Sequence, residues 1–307
     1  MASKPELVIV GAGPAGVSAA LWARSRDLDA VVLEALNEPG GQLHHVHFQP
    51  RDLPGVQGAT GPALAAIYAT QLRDTSIAVR YGVTAASLER AGDGAPVVVT
   101  EDGERIEAHA ALILTGARRR RLEVPGEREF EERGVSYSAT RDRERLRGRP
   151  VAVVGGGDAA YENALILAAA DCAVTLIVRG APRARKEFRE RVAAEPRIRV
   201  LEDARVTAIV GRAEVEALIV ATSHGEQRLP VEGVVIKVGE VPNSEWCRTA
   251  VSLDAEGFVT VNARYRTSRR DVWAAGDIVR PALPSIAVAI GTAALAVADI
   301  RGELRGL

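Results

Sequence analysis

Glycines at fixed spacing after an apolar run can cradle a phosphate, and this chain carries the arrangement twice. Gly11-Ala12-Gly13-Pro14-Ala15-Gly16 follows Leu7-Val8-Ile9-Val10, and Gly155-Gly156-Gly157-Asp158-Ala159-Ala160 follows Val151-Ala152-Val153-Val154. A pyrophosphate needs backbone that approaches without Cβ interference, and a helix N-terminus offering unpaired N–H groups and a positive dipole end. A residue about 20 positions further on selects the sugar: a carboxylate accepts ribose hydroxyl protons, and a basic residue accommodates a 2′-phosphate. The next apolar runs end at Glu34 and at Arg179 respectively. Glu34 suits an unphosphorylated adenosine ribose and Arg179 suits NADP, so two dinucleotides are expected in one chain.

The elements that position these turns need room. A length of 307 residues with 47% hydrophobic content supplies material for two cores. A formal charge of −1 predicts no nucleic-acid and no membrane partner. Arginine dominates the basic residues, with Lys4, Lys186 and Lys237 the only lysines, which reads as a base-composition bias. The first apolar run begins by Leu7, leaving no room for a signal peptide, and the longest weakly polar stretch, 286–298, is too short to span a bilayer. A cytoplasmic protein is expected. Cys172 and Cys247 form no metal or redox spacing, and Cys172 reads as a buried structural thiol.

After the first turn, a turn-rich segment from Pro39 to Gly55 leads to a helix over about 61–73 and strands around 78–81, 97–100 and 110–114. The arginine run 118–121 reads as a solvated linker. From about Ser244, short strands at 258–261 and 272–274 precede Gly276-Asp277 and an alanine-rich helix. The simplest architecture is α/β with two Rossmann-like dinucleotide-binding domains, one (119–243) inserted into the other (1–118 and 244–307). Two chain crossings can form a hinge.

Six stretches in order carry a resemblance: Gly11 to Gly16; Gly40-Gly41-Gln42-Leu43; Thr115-Gly116-Ala117; Gly155 to Ala160; Gly239 to Asn243; and Trp273-Ala274-Ala275-Gly276-Asp277. Over essentially its whole length the chain resembles the low-molecular-weight thioredoxin reductase-like flavoproteins. The resemblance implies an FAD domain built from the two chain ends, an inserted NAD(P)H domain, and a homodimer in which one domain rotates against the other. It implies FAD contacts from Gly11, Gly13, Pro14, Ala15, Gly16, Glu34, Gly41, Gln42, Leu43, Asp52, Thr115, Gly116, Gly276, Asp277, Ser285 and Ile286. It implies NADP contacts from Gly155, Gly157, Asp158, Ala159, Ala160, Arg179, Arg183 and Arg185. Gln42 would sit near the isoalloxazine edge, and Asp277 would accept from the ribityl chain or a nearby phosphate. The last helix, starting near Ser285, would aim its N-terminus at the ring's pyrimidine end, where negative charge builds up on reduction. The family's His-Arg-Arg cluster is thinned here to Val178-Arg179-Gly180, with Arg183 or Arg185 as second cation, which leaves NADH open beside NADPH.

The chemistry departs at one place. Disulfide-reducing members carry Cys-Ala-Thr-Cys-Asp where this chain has Ser138-Ala139-Thr140-Arg141-Asp142. Relaying electrons to a disulfide requires an attacking thiolate and a resolving thiol, and neither serine nor arginine can serve. Arg141 stabilises a reduced flavin, binds an anionic substrate, or turns to solvent; Asp142 reads as a helix cap ahead of an acid/base group. His44, His45 and His47 follow the Gly-Gly-Gln-Leu motif. On an extended segment His44 would face away from the other two, so no metal site is expected, and His45 is a candidate proton donor. Catalytic candidates are therefore Arg141, Asp142 and His45. A short loop after Leu43 and the end at Leu307 set the chain apart from related ferredoxin or flavodoxin NADP reductases, and Pro284-Ser285 replaces the common Arg-Gln.

The expected function is FAD-dependent NAD(P)H oxidation with a non-disulfide acceptor: a ferredoxin or flavodoxin, a quinone, dioxygen or a small molecule. The competing expectation is a sensory, regulatory or pyridine-nucleotide-independent flavoprotein that does not turn over NAD(P)H.

Overall fold

Four consecutive apolar residues without polar alternation suit a strand covered on both faces, and Leu7–Val10 (β1) is buried throughout. In the computed structural model the chain divides into two units, Met1–Arg118 with Val241–Leu307, and Arg119–Glu240. The structure describes residues 4–46, 49–50 and 53–306. In the first unit β1 is followed by α1 (Pro14–Ser25), β2 (Ala30–Glu34), α2 (Gly61–Asp74), β3 (Ala78–Tyr81), β4 (Ala85–Arg90), β5 (Pro96–Thr100), β6 (Arg105–Glu107), β7 (Ala110–Ile113) and β8 (Ala117–Arg119). The second unit holds β9 (Val135–Ser136), α3 (Ala139–Leu146), β10 (Pro150–Val154), α4 (Asp158–Ala168), β11 (Ala173–Ile177), α5 (Lys186–Ala193) and β12 (Ile198–Leu201). It continues through β13 (Arg205–Gly211), β14 (Val215–Thr222), β15 (Gly225–Pro230) and β16 (Gly233–Ile236). The chain then returns through β17 (Glu240–Pro242), β18 (Val272–Ala274) and α6 (Ile286–Arg305).

Each unit has the same plan. In the first, a parallel sheet ordered β18-β7-β1-β2-β3 buries Leu7 and Ile9 against α1 and α6, and Val8 and Val10 with Leu88, Val98 and Ile106 of the antiparallel β4-β5-β6 layer. In the second, a parallel sheet ordered β12-β11-β10-β16-β9 buries Val151, Val153 and Val235 with Leu146, Tyr161 and Leu167 of α3 and α4. Its other face carries Ala152, Val154 and Ile236 against Val206, Leu218 and Val220 of β13 and β14. This is the two-Rossmann α/β architecture read from the sequence. The strands through which the chain passes between the units, β8 and β17, pair with each other.

The local detail differs from the sequence pattern in places. Residues 258–261 form no strand, only a single bridge between Val259 and Leu253, and their backbone bonds are divided between Ser252 and Ile278 instead of running along one partner. The run 118–121 crosses between the units and is exposed at Arg118, Arg119 and Arg120, as a solvated linker should be, but it begins in β8, Arg118 pairs with Glu245, and Arg121 pairs with Glu131 at 2.9 Å. β4 and β6 escaped sequence reading because each buries a single residue, Leu88 and Ile106, and so shows too little apolar pattern. No helix among the described residues is long and apolar enough to cross a membrane.

Leu112 lies at 0% exposure in β7, beside β1. Leu112→Ala is expected to cost about 2–5 kcal/mol, read as a lowered midpoint in thermal or urea unfolding; an unchanged midpoint would contradict this core assignment.

Candidate functional site

β1 runs into Gly11, whose φ of +107° favours glycine. A Cβ on Gly11 would stand 2.5 Å from the Leu114 carbonyl oxygen, and one on Gly16 would stand 1.9 Å from that of Gly11. Gly11 thus lets the turn pass against the chain leaving β7, and Gly16 lets α1 lean directly on the end of β1. Gly13 is the N-cap of α1 with Pro14 in the first turn, and nothing lies within 4 Å of where its Cβ would be. Open space in front of a helix N-terminus fits a pyrophosphate. Ala15 is buried beside it, and Glu34 at the end of β2 is 7% exposed. Its two oxygens accept from the Ala12 N–H at 2.6 Å and the Leu36 N–H at 2.8 Å, so the carboxylate expected at the sugar holds the turn.

The loop at 40–43 closes on the same turn. The Gly40 N–H donates to the Ala12 carbonyl at 2.9 Å, a Cβ on Gly41 would lie 3.3 Å from Gly13 Cα, and Leu43 is buried with Leu64 and Ala65. Gln42 Nε2 donates to Asp277 Oδ2 at 3.4 Å, which joins two motifs far apart in sequence. Gly276 packs against Ala15 and donates its N–H to Thr292 Oγ1 at 3.1 Å; Thr292 of α6 belongs to no motif and was missed. Ser285 caps α6 by accepting from the Val288 N–H, and Ile286 packs beside the cluster of Leu43. Thr115 Oγ1 donates to the Asn243 carbonyl at 2.8 Å, Asn243 Nδ2 returns a bond to the Thr115 carbonyl at 2.7 Å, and the Asn243 N–H reaches the Gly116 carbonyl at 3.0 Å. Asp52 and His47 lie outside the described residues.

The histidines sit on a different backbone from the one expected. Residues Gly41–His45 form a 3-10 helix rather than an extended segment, so neighbouring side chains fan out instead of alternating. His44 Nε2 sits 3.1 Å from the Pro39 carbonyl, and His45 is exposed. Among the described residues no group of His, Cys, Asp and Glu is placed to hold a metal ion.

The second turn repeats the first with different charges. A Cβ on Gly155 would stand 2.1 Å from the Lys237 carbonyl oxygen and 3.0 Å from the Ala160 Cβ, whereas Gly157, the N-cap of α4, faces open space. Asp158 and Ala159 begin α4, and the Gly156 carbonyl accepts from the Arg183 and Ala184 N–H groups at 2.7 and 3.0 Å. The Arg185 backbone N–H donates to Asp158 at 2.7 Å and its Nε at 2.6 Å; that backbone bond first, and the guanidinium after it, hold the Asp158 carboxyl below its usual range. Arg185 is therefore committed to neutralising an acid at the helix entrance. Arg179 and Arg183, the other two arginines expected at the nucleotide, are exposed and without an ion pair to any described residue.

Where the resemblance would put a dithiol, Ser138 is the cap of α3, its Oγ accepting from the Arg141 N–H at 3.3 Å. Capping thus belongs to Ser138 and not to Asp142, which sits one turn inside at 8% exposure. Asp142 accepts from Ser136 Oγ and from Arg141 Nε and Nη2 at 3.0 and 2.8 Å. Arg141 also reaches Glu132 at 2.8 Å, so the guanidinium is folded onto two carboxylates rather than turned freely to solvent. The actual thiols are elsewhere. Cys172 is fully buried in the helix-side core of the second unit, its Sγ 3.0 Å from the Leu146 carbonyl, and burial raises its pKa. Cys247 is fully buried in the first unit, and burial pushes its pKa up to about 12.

One residue passed over by sequence reading stands at the second turn. Lys237, just past the end of β16, donates its N–H to the Val154 carbonyl at 2.8 Å and is half-buried. Burial first, and the Arg119 charge second, lower its ammonium pKa from 10.5 to about 8, against the weaker opposing pull of Glu162 and Glu240. Below about pH 8 the folded chain carries an ammonium that water would hold better; between pH 8 and 10.5 the unfolded chain binds more protons, and stability rises with pH. Lys237→Met is therefore expected to raise the melting temperature near neutral pH by roughly 2–4 °C. The gain should shrink as pH climbs from 8 to 10.5, and a gain independent of pH would contradict this reading.

The sequence pattern of the pyridine nucleotide-disulphide oxidoreductases matches residues 5–293. The chain is 32% identical over 296 residues to the thioredoxin reductase of Listeria monocytogenes, covering 95% of this chain and 91% of that one. It is 32% identical over 301 residues to the bifunctional thioredoxin reductase/thioredoxin of Mycobacterium leprae, covering 96% of this chain and 64% of that protein. The crystal structure of Lactococcus lactis thioredoxin reductase superposes with a TM-score of 0.80 at 29% identity, over 99% of this chain and 100% of that one. Members of the family use FAD and NADPH. The glycine turns, the sheet order of both units and these likenesses agree: the chain belongs to the pyridine nucleotide-disulphide oxidoreductase family.

Proposed function

We propose that the chain is an FAD-dependent NAD(P)H oxidoreductase that hands electrons to an acceptor without a dithiol of its own. Bound to their turns, the nucleotide would supply a hydride and the flavin would accept it and pass electrons on. The chain's residues do the holding. In the first unit the N–H groups of the α1 entrance would meet the FAD pyrophosphate, in the space beside Gly13, and Glu34 would take the ribose hydroxyls while keeping its bond to Ala12. Asp277, fixed by Gln42, and the capped end of α6 at Ser285 supply the remaining polar groups on this edge. In the second unit the α4 entrance at Gly157 would take the nucleotide pyrophosphate, with Arg179 and Arg183 for a 2′-phosphate.

The single observation that carries the non-disulfide reading is the fate of the thiols. Ser138 is used as a cap and Arg141 is locked on Asp142 and Glu132, while Cys172 and Cys247 are sealed in the cores of different units. Buried thiols with raised pKa are poor nucleophiles and poor resolving partners. A ferredoxin or flavodoxin, a quinone, dioxygen or a small molecule would then be the acceptor.

With NADPH in excess, the FAD-loaded protein should reduce a redox dye at a rate unaffected by prior iodoacetamide treatment, and leave thioredoxin disulfide unreduced. Thioredoxin reduction that iodoacetamide abolishes would sink the proposal.

A further inference from the structure

Of the three lysines, two have partners: Lys4 reaches Glu107 at 2.6 Å and Lys186 reaches Glu190 at 3.5 Å. Lys237, half-buried like Lys4, has neither a hydrogen bond from its ammonium nor an ion pair to any described residue. Burying an ammonium without a partner is unfavourable, and the like charge of Arg119 adds to the cost. A residue that weakens the fold at this place calls for an anion that relieves it.

The strand register says where that anion would come from. β16 lies on one side of β10 and β11 on the other, with Val154 opposite both Ile236 and Ile177. Lys237, next after Ile236, is thus level with Gly155, and the glycine turn lies between Lys237 on the β16 side and Arg179 on the β11 side. Val153 and Val235 both face the α3 and α4 side, and the two-residue period of strands carries Lys237 to that same face, where α4 begins. Its interaction with Glu162 of α4 agrees with this placement. A dinucleotide laid across the carboxyl edge of such a sheet puts its adenosine half over β11 and its pyrophosphate at the α4 entrance. Its second phosphate then points towards β16.

We propose that Lys237 binds the nicotinamide-side phosphate of NADP(H), as the counterpart across the turn of the arginines that take the 2′-phosphate. The inference rests on the nucleotide half of the proposed function. It divides the cationic work: Arg179 and Arg183 read the adenosine half, and Lys237 secures the half that carries the reacting ring. Arg185, tied to Asp158, does neither.

Equilibrium titration of the FAD-loaded protein with NADP+ and with 2′,5′-ADP, which lacks the nicotinamide-side phosphate, separates these roles. Lys237→Met and Lys237→Gln should weaken NADP+ binding roughly tenfold or more, the loss of one charge-assisted contact, and leave 2′,5′-ADP within about twofold. Lys237→Arg should retain most of the NADP+ affinity, whereas Arg179→Gln should weaken both ligands. Unchanged NADP+ affinity in the lysine variants, or equal loss for both ligands, would overturn the assignment while leaving the NADP(H) reading intact. Wild-type protein that binds neither ligand would overturn both.

Discussion

The architecture depends on backbone touching backbone at the two glycine turns. A Cβ on Gly16 would reach within 1.9 Å of the Gly11 carbonyl, and one on Gly155 within 2.1 Å of the Lys237 carbonyl, distances no side chain tolerates. Because nothing intervenes, each helix starts immediately behind its strand with its first N–H groups pointed past the sheet edge. The rest of the first unit is organised around that edge. Glu34 is bonded to Ala12, the loop at Gly40 to Ala12, Gln42 to Asp277, and Gly276 to Thr292. Residues brought from four separate stretches of chain thereby converge on one helix entrance.

The second unit uses the same geometry with an unfavourable electrostatic balance. Asp158 stands at the helix entrance where a phosphate would bind, and Arg185 neutralises it through both backbone and guanidinium. Lys237 opposes it from across the turn as an unpaired, half-buried ammonium. The Asp158–Arg185 pairing stabilises the ligand-free fold, whereas the buried Lys237 ammonium does not and becomes favourable only when a phosphate occupies the edge. At α3 the opposite holds. Ser138, Arg141, Asp142 and Glu132 satisfy one another at the helix start.

Sequence reading reached the parts governed by local rules. The glycine turns, the strands that lead to Glu34 and towards Arg179, the inserted arrangement of two Rossmann-like units and the Ser285 start of α6 all follow from short-range chemistry. What it missed depends on distant chain. The engagement of Arg185 with Asp158 and the isolation of Lys237 are set by strands and loops 27 or more residues away in the first case and by a neighbouring strand in the second. The cap on α3 was misassigned because Ser138 and Asp142 are both good capping residues, and only the backbone decides that the helix begins at Ala139. Likewise the histidine faces were misread because a 3-10 turn, closed by Gly40 and Leu43, replaces an extended strand.

The central claim is that the flavin is the chain's own only redox store, since no thiol pair accompanies it. Anaerobic titration of the FAD-loaded protein with a calibrated reductant, followed by flavin absorbance, tests this directly. Complete reduction at two electrons per FAD is the predicted result; a requirement for four would reveal a redox-active disulfide and contradict the account.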